Sequence, residues 1–111
     1  MKEYLNSFEF ADQKQKIIIE EVKRFESSLD DEHEVAIKLI SFGSSITMYV
    51  TGISYQNPDL LYFYGIVDGN DAQLIQHVNQ LNFLIIAVER QDKTTPARRI
   101  GFLLDRFSDE L

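Results

Sequence analysis

Few side chains in this sequence could do chemistry, and they lie in short stretches. His33 and His77 are the only two histidines, the side chains best suited to proton transfer near neutral pH. His33 sits in the run Asp30-Asp31-Glu32-His33-Glu34, whose carboxylates are the hard oxygen ligands that calcium or magnesium takes. The run lacks the alternating ligands and glycine of a calcium-binding loop, and it reads more simply as a solvated turn after a helix. No serine and orienting carboxylate accompany either histidine locally, so no triad is proposed. Ser41-Phe-Gly-Ser-Ser45 has the look of a phosphate loop but opens a strand instead of a helix. Walker, GxSxG, HExxH and dinucleotide motifs do not occur. With no cysteine there is no disulfide, thiolate metal site or cysteine nucleophile. We therefore assign no catalytic residue, metal site or cofactor. The alternative kept open is a small metal- or His-dependent hydrolase or nuclease using the His33 cluster or His77.

Two further groupings suit binding. Gln73, Gln76, His77, Asn79, Gln80 and Asn82 make a polar patch that demands hydrogen-bond partners. Arg90, Lys93, Arg98 and Arg99 make one basic loop in an acidic chain, where Arg98 and Arg99 could hold a small anion. Overall, 11 bases face 18 acids for a net charge of −7, a balance that repels a phosphate backbone and argues against long nucleic acid. The longest apolar run, Phe83–Val88, is far too short for a membrane span, and the acidic N-terminal stretch does not read as a signal peptide. The cytoplasm is the expected compartment.

The elements that must position these groups follow from periodicity. In 111 residues with 44% hydrophobic content there is room for one core and one domain. Ile18, Val22, Phe25 and Leu29 recur at helical spacing, so 11–29 is expected to form an amphipathic helix, with 1–10 extending or fraying. From residue 34 onward the pattern changes to short β-branched and aromatic runs: 34–42, 45–53, 60–67, 72–78, 82–90 and 98–104. Residues 79–90 also fit a helix capped by Asn79, but their β-branched content favours a strand. The expected fold is α+β, an N-terminal amphipathic helix packed on a twisted antiparallel sheet of about five or six strands, a meander over 34–104.

Hairpin arithmetic then sorts the strands into two faces. Pairing Phe42 with Ser45 around Gly43-Ser44 sets Leu39 against Met48, Ile37 against Val50 and Lys38 against Tyr49. Pairing Ile53 with Leu60 around Asn57-Pro58-Asp59 sets Val50 against Phe63, Tyr49 against Tyr64 and Thr51 against Tyr62. One face is the aliphatic core of Val35, Ile37, Leu39, Ile46, Met48, Val50, Leu61, Phe63 and Val67. The other gathers Ala36, Lys38, Ile40, Thr47, Tyr49, Thr51, Tyr62 and Tyr64. An even loop at Asp68-Gly69-Asn70-Asp71 would add Ile75 and His77 to it. The tyrosine face reads as a plain half-solvated surface, as a self-association surface, or as a stacking platform for a planar ligand.

The segments HEVAIKLISFG (33–43), ITMYVTGISYQNPDLLYFYG (46–65), LIQHVNQLNFLIIAV (74–88) and RRIGF (98–102) together resemble a small bacterial family of unassigned function, found in phages and prophages. The resemblance covers about residues 30–104 and carries over no catalytic residues. It implies a small inhibitor of a host protein, or a sponge for a signalling nucleotide, in the host cytoplasm. The expected function is a non-catalytic, homo-oligomeric binding module acting through Tyr49, Tyr62, Tyr64, Lys38, His77, Gln76, Arg98 and Arg99. A purely structural subunit is the remaining alternative.

Overall fold

The structure, a computed structural model, describes residues 10–42, 44–101 and 104. Gly43, the side chain of Ile40 and residues 1–9 lie outside the described residues. One helix, α1 (Ala11–Glu26), precedes five strands: β1 (His33–Phe42), β2 (Ser44–Gln56), β3 (Leu60–Val67), β4 (Asn70–His77) and β5 (Phe83–Glu89). They form one antiparallel sheet in the order β4-β3-β2-β1-β5. The α+β expectation holds. The plain meander does not, because β5 returns to pair with β1 instead of following β4. The expected strand over 98–104 falls partly on residues 102 and 103, which lie outside the described residues, and none of 98–101 and 104 is in a strand. Gly101 and Leu104 are helical, with the Leu104 N–H on the Ile100 carbonyl at 2.8 Å.

α1 buries Ala11, Gln15, Ile19, Val22 and Glu26, spaced as one helical stripe. The expected stripe of Ile18, Phe25 and Leu29 lies beside it, partly buried against the core. Two polar residues can sit in this stripe because each is paired. Gln15 Nε2 donates to the Ile53 carbonyl at 2.6 Å, and Glu26 accepts from residues 100 and 101. The β2–β3 turn anchors the start of the helix: the Ala11 N–H donates to the Pro58 carbonyl and the Asp12 N–H to Asn57 Oδ1. These bonds serve N–H groups that have no partner within the helix. The helix ends at Glu26, three residues earlier than expected. Ser27 and Ser28 turn their hydroxyls back onto the Arg24 and Phe25 carbonyls, a local bond that competes with further helix.

The register differs from the arithmetic in two instructive ways. In β1–β2, Lys38 faces Thr47, Ile37 faces Met48 and Leu39 faces Ile46, two residues from the expected pairing. A shift of two leaves every side chain on its expected face. In β2–β3, Tyr49 faces Ile66 and Val50 faces Gly65, whereas Gly52 faces Tyr64, Ile53 faces Phe63 and Ser54 faces Tyr62. The extra residue, Thr51, is a bulge that lets both Val50 and Ile53 point into the core. At β3–β4 the two-residue turn at Asp68 (φ 52°) and Gly69 (φ 79°) has the twin positive φ of a type I′ hairpin. It sets Tyr62 against Ile75 and Leu60 against His77, as the even loop required.

Val35, Ile37, Leu39, Met48, Val50, Ile53, Leu61 and Phe63 form the core with Ile19 and Val22 of the helix, joined by Ile100 and Leu104. The sheet curls strongly around it. Phe63 of β3 and Phe83 of β5 meet edge to face with centroids 5.4 Å apart, although two strands separate theirs. In a flat sheet those strands would lie about 14 Å apart.

Candidate functional site: the uncovered face and its roofed cleft

The face turned away from α1 carries Tyr49, Tyr62 and Tyr64 with Lys38, Thr47, Ile66, Ile75 and His77, as the pairings above require. β5 adds Leu84, Ile86 and Val88, which pair with Lys38, Ala36 and Glu34. Ile75, Leu84 and Ile66 are exposed by 55%, 49% and 38%. Such side chains scattered singly are ordinary; three on one sheet face beside three tyrosines make a patch.

Tyr62, Tyr64 and His77 on this face are tied to groups of their own chain. The Tyr62 hydroxyl donates to Gln56 Oε1 at 2.8 Å, and the Tyr64 hydroxyl lies 3.4 Å from Ser54 Oγ. His77 Nδ1 accepts the Asn79 N–H at 3.0 Å, which leaves Nε2 as the donor to Asp59 at 3.2 Å. With the Val78 N–H on the Asp59 carbonyl, His77 fastens the end of β4 to the start of β3.

A loop from β5 roofs one end of the face. Arg90 Nη1 holds the Thr95 carbonyl at 3.1 Å, and Asp92 accepts from the Thr94 N–H at 2.9 Å and from its hydroxyl at 2.5 Å. The hydroxyl and then the amide of Thr94 hold the Asp92 carboxyl below its ordinary value. Buried Glu34 seats the loop on the sheet. Its two carboxylate oxygens accept the Gln91 N–H at 3.4 Å and the Arg98 N–H at 2.6 Å. Between loop and sheet lies a cleft of about 780 Å³, with Tyr49 and Ile66 from the sheet, Pro96 from the loop, and Arg98, Asp68 and Asp92 among its lining. Arg98 Nη1 donates to the Val50 carbonyl at 3.3 Å, whereas Nη2 is buried without an acceptor.

Of the residues expected to bind, Tyr49, Tyr62, Tyr64, Lys38 and His77 share the uncovered face, and Arg98 joins Tyr49 in the cleft. The other two lie elsewhere. Gln76 pairs with Leu61, so it points to the core side, where it is buried with Oε1 unpartnered. Arg99 donates to the carbonyls of His33 at 2.8 Å and Asp30 at 2.9 Å, clamping the turn before β1. His33 Nδ1 lies 2.7 Å from Asp30 Oδ1; this bond first, then the Glu32 amide, keeps the Asp30 carboxyl below its ordinary value. Among the described residues, no three His, Cys, Asp or Glu groups converge to hold a metal ion. Sequence reasoning missed Glu34, Ile66, Asp68 and Asp92. Only the loop's Asp-Lys-Thr-Thr-Pro run signalled a structured turn there.

Fold and site together define an open-sheet module that has, among the described residues, one face covered by α1 and the other partly roofed by a loop. The chain belongs to a family of unknown function, DUF6173, whose model matches residues 9–103. No curated protein and no solved structure matches it. No described helix is long and apolar enough to cross a membrane.

Proposed function

We propose that this protein is a non-catalytic binding module whose uncovered sheet face receives a protein surface, first of all that of a second copy. The observation that carries the reading is the exposure of Ile66, Ile75 and Leu84 on one face with Tyr49, Tyr62 and Tyr64. Five strands about 4.8 Å apart and about 25 Å long would span roughly 600 Å² if laid flat; the curl of the sheet bends this area, and the loop roofs one end of it. A standard interface takes about 800 Å² from each partner. The β5 edge supports self-pairing too. Phe83–Val88 has no charge, proline or bulge to blunt it, whereas the β4 edge carries Asp71, Gln73 and His77.

A phage-encoded inhibitor acting on a host protein in the cytoplasm is the biological setting that the resemblance implies, and it rests on analogy. A protein partner suits this face better than a phosphate-bearing signalling nucleotide. Glu34, Asp68 and Asp92 outnumber Arg98 in the cleft, and such a rim repels phosphate.

Light scattering across a concentration series tests the reading. The wild type should form a dimer or higher oligomer with a melting temperature that rises with concentration, and Ile75→Glu with Leu84→Glu should yield folded monomers with the wild type's circular dichroism and a melting temperature independent of concentration. A wild type that stays monomeric at high concentration would sink the self-association reading.

A further inference from the structure

The cleft under the 90–98 loop presents chemistry that a flat protein interface would not use. Arg98 lines it, and this residue keeps a buried donor, Nη2, that finds no acceptor among the protein's own groups, while the neighbouring Nη1 is fixed on the Val50 carbonyl. Native structures keep very few buried donors unpaired, and those they keep call for an explanation. Here Glu34 cannot serve as the partner. Its oxygens already accept the Gln91 and Arg98 backbone N–H groups that hold the roof down. The guanidinium is thus anchored at Nη1, and a small turn of the side chain would open its unpaired Nη2 to the cleft.

The remaining lining narrows what could meet that donor. Tyr49, Ile66 and Pro96 supply flat or apolar walls, and an aromatic wall favours a planar ligand. About 780 Å³ falls within the ~300–1,000 Å³ usual for small-molecule sites. The rim adds Asp68 and Asp92, acceptors that welcome an N–H and oppose an anion.

We propose that this cleft binds a flat, uncharged heterocycle carrying a ring carbonyl beside a ring N–H, the edge that keto nucleobases present, as the base or nucleoside and not as its phosphate ester. The ring carbonyl takes the Arg98 Nη2 donor, the ring N–H is left to the aspartates of the rim, and Tyr49 and Pro96 bracket the ring. The proposal is independent of what covers the rest of the face, and self-association is read separately by light scattering on the same samples.

Calorimetric titration of the full chain with guanosine, uridine, adenosine and guanosine monophosphate tests it. Guanosine and uridine should bind. Adenosine, which lacks the ring carbonyl, and the monophosphate should each bind at least roughly tenfold more weakly. Arg98→Ala should abolish binding. Because Arg98 also braces the Val50 strand, Asp68→Asn on the exposed turn is the second variant. It should keep the fold and narrow the preference for guanosine over its monophosphate. Failure of both keto nucleosides to bind at millimolar concentration overturns the proposal. So does equal or tighter binding of the monophosphate, an unchanged affinity in folded Arg98→Ala, or an unchanged preference in Asp68→Asn.

Discussion

Glu26 at the end of α1 and Ile100, 74 positions further along the chain, are joined by a buried hydrogen bond of 2.7 Å from the Ile100 N–H to the Glu26 carboxylate. The other carboxylate oxygen accepts the Gly101 N–H at 2.9 Å. One side chain thus satisfies two amides at the start of a helical turn, where a negative charge is also favoured by the local dipole. Glu26→Ala leaves both amides without an acceptor in a buried site. It should cost about 2–3 kcal/mol in urea unfolding, and Glu26→Gln, which keeps one oxygen, about half of that. A loss below ~0.5 kcal/mol for the alanine variant would mean that the amides find other partners.

Gly65 and Gly69 should respond to alanine for different reasons. A Cβ on Gly65 would stand 2.5 Å from the Tyr49 carbonyl oxygen, backbone inside the β2–β3 ladder that cannot step aside cheaply. Gly69 has open space around it but a φ of 79° that favours glycine. We expect Gly65→Ala to lose about 2–3 kcal/mol through overpacking. Gly69→Ala should lose about 1 kcal/mol through backbone strain. Thermal unfolding of the two variants checks the order, and the reverse order would contradict this account.

Glu34 should govern the roof more than the sheet. Replacing it by alanine removes the acceptor for the Gln91 and Arg98 amides, while the β1 ladder to β2 and β5 keeps its backbone bonds. Hydrogen exchange should therefore quicken at residues 91–98 well before it changes at 35–39. Equal acceleration in both segments would show that Glu34 holds the whole strand.

Acid should loosen the loop by a definite route. Thr94 holds the Asp92 carboxyl below its ordinary value of 3.8. A carboxyl depressed in the folded state contributes stability that is complete above its unfolded value and is lost as pH falls through the folded one. Exchange at residues 93–96 should thus rise below about pH 4 in the wild type, and less steeply in Asp92→Asn. A pH profile identical in both proteins would assign the acid response to another group.

The two faces of the sheet were legible because alternation has a period of two and an error of two residues in register does no harm. Lys38 shows this well: its partner is Thr47 and not Tyr49, yet it lies on the expected side. The bulge at Thr51 was marked only by the neighbouring Gly52, a signal that the hairpin arithmetic did not use, and so Ile53 was missed as a core residue. Gln15 and Glu26 were invisible to a search for apolar periodicity, because partners distant in sequence make their burial tolerable. Ile100, Phe102 and Leu104 alternate like a strand, but Ile100 and Leu104 are also four apart, and in the structure the Leu104 N–H bonds to the Ile100 carbonyl. Tyr49 and Arg98 of the cleft could be picked from residue type alone. The acids around them could not, because their meeting depends on β5 returning beside β1, which no hairpin turn specifies.

That return gives the segment 91–101 a double hold. At one end Glu34 seats it over the cleft, and at the other Glu26 and the burial of Ile100 sew it into the core beneath the helix. Arg98 and Ile100 are two residues apart, so the lining of the cleft and the heart of the fold are consecutive stitches in one seam. A ligand that gripped Arg98 would draw that seam tight, and its uptake on one side of the sheet would register on the other as resistance of the whole domain to unfolding.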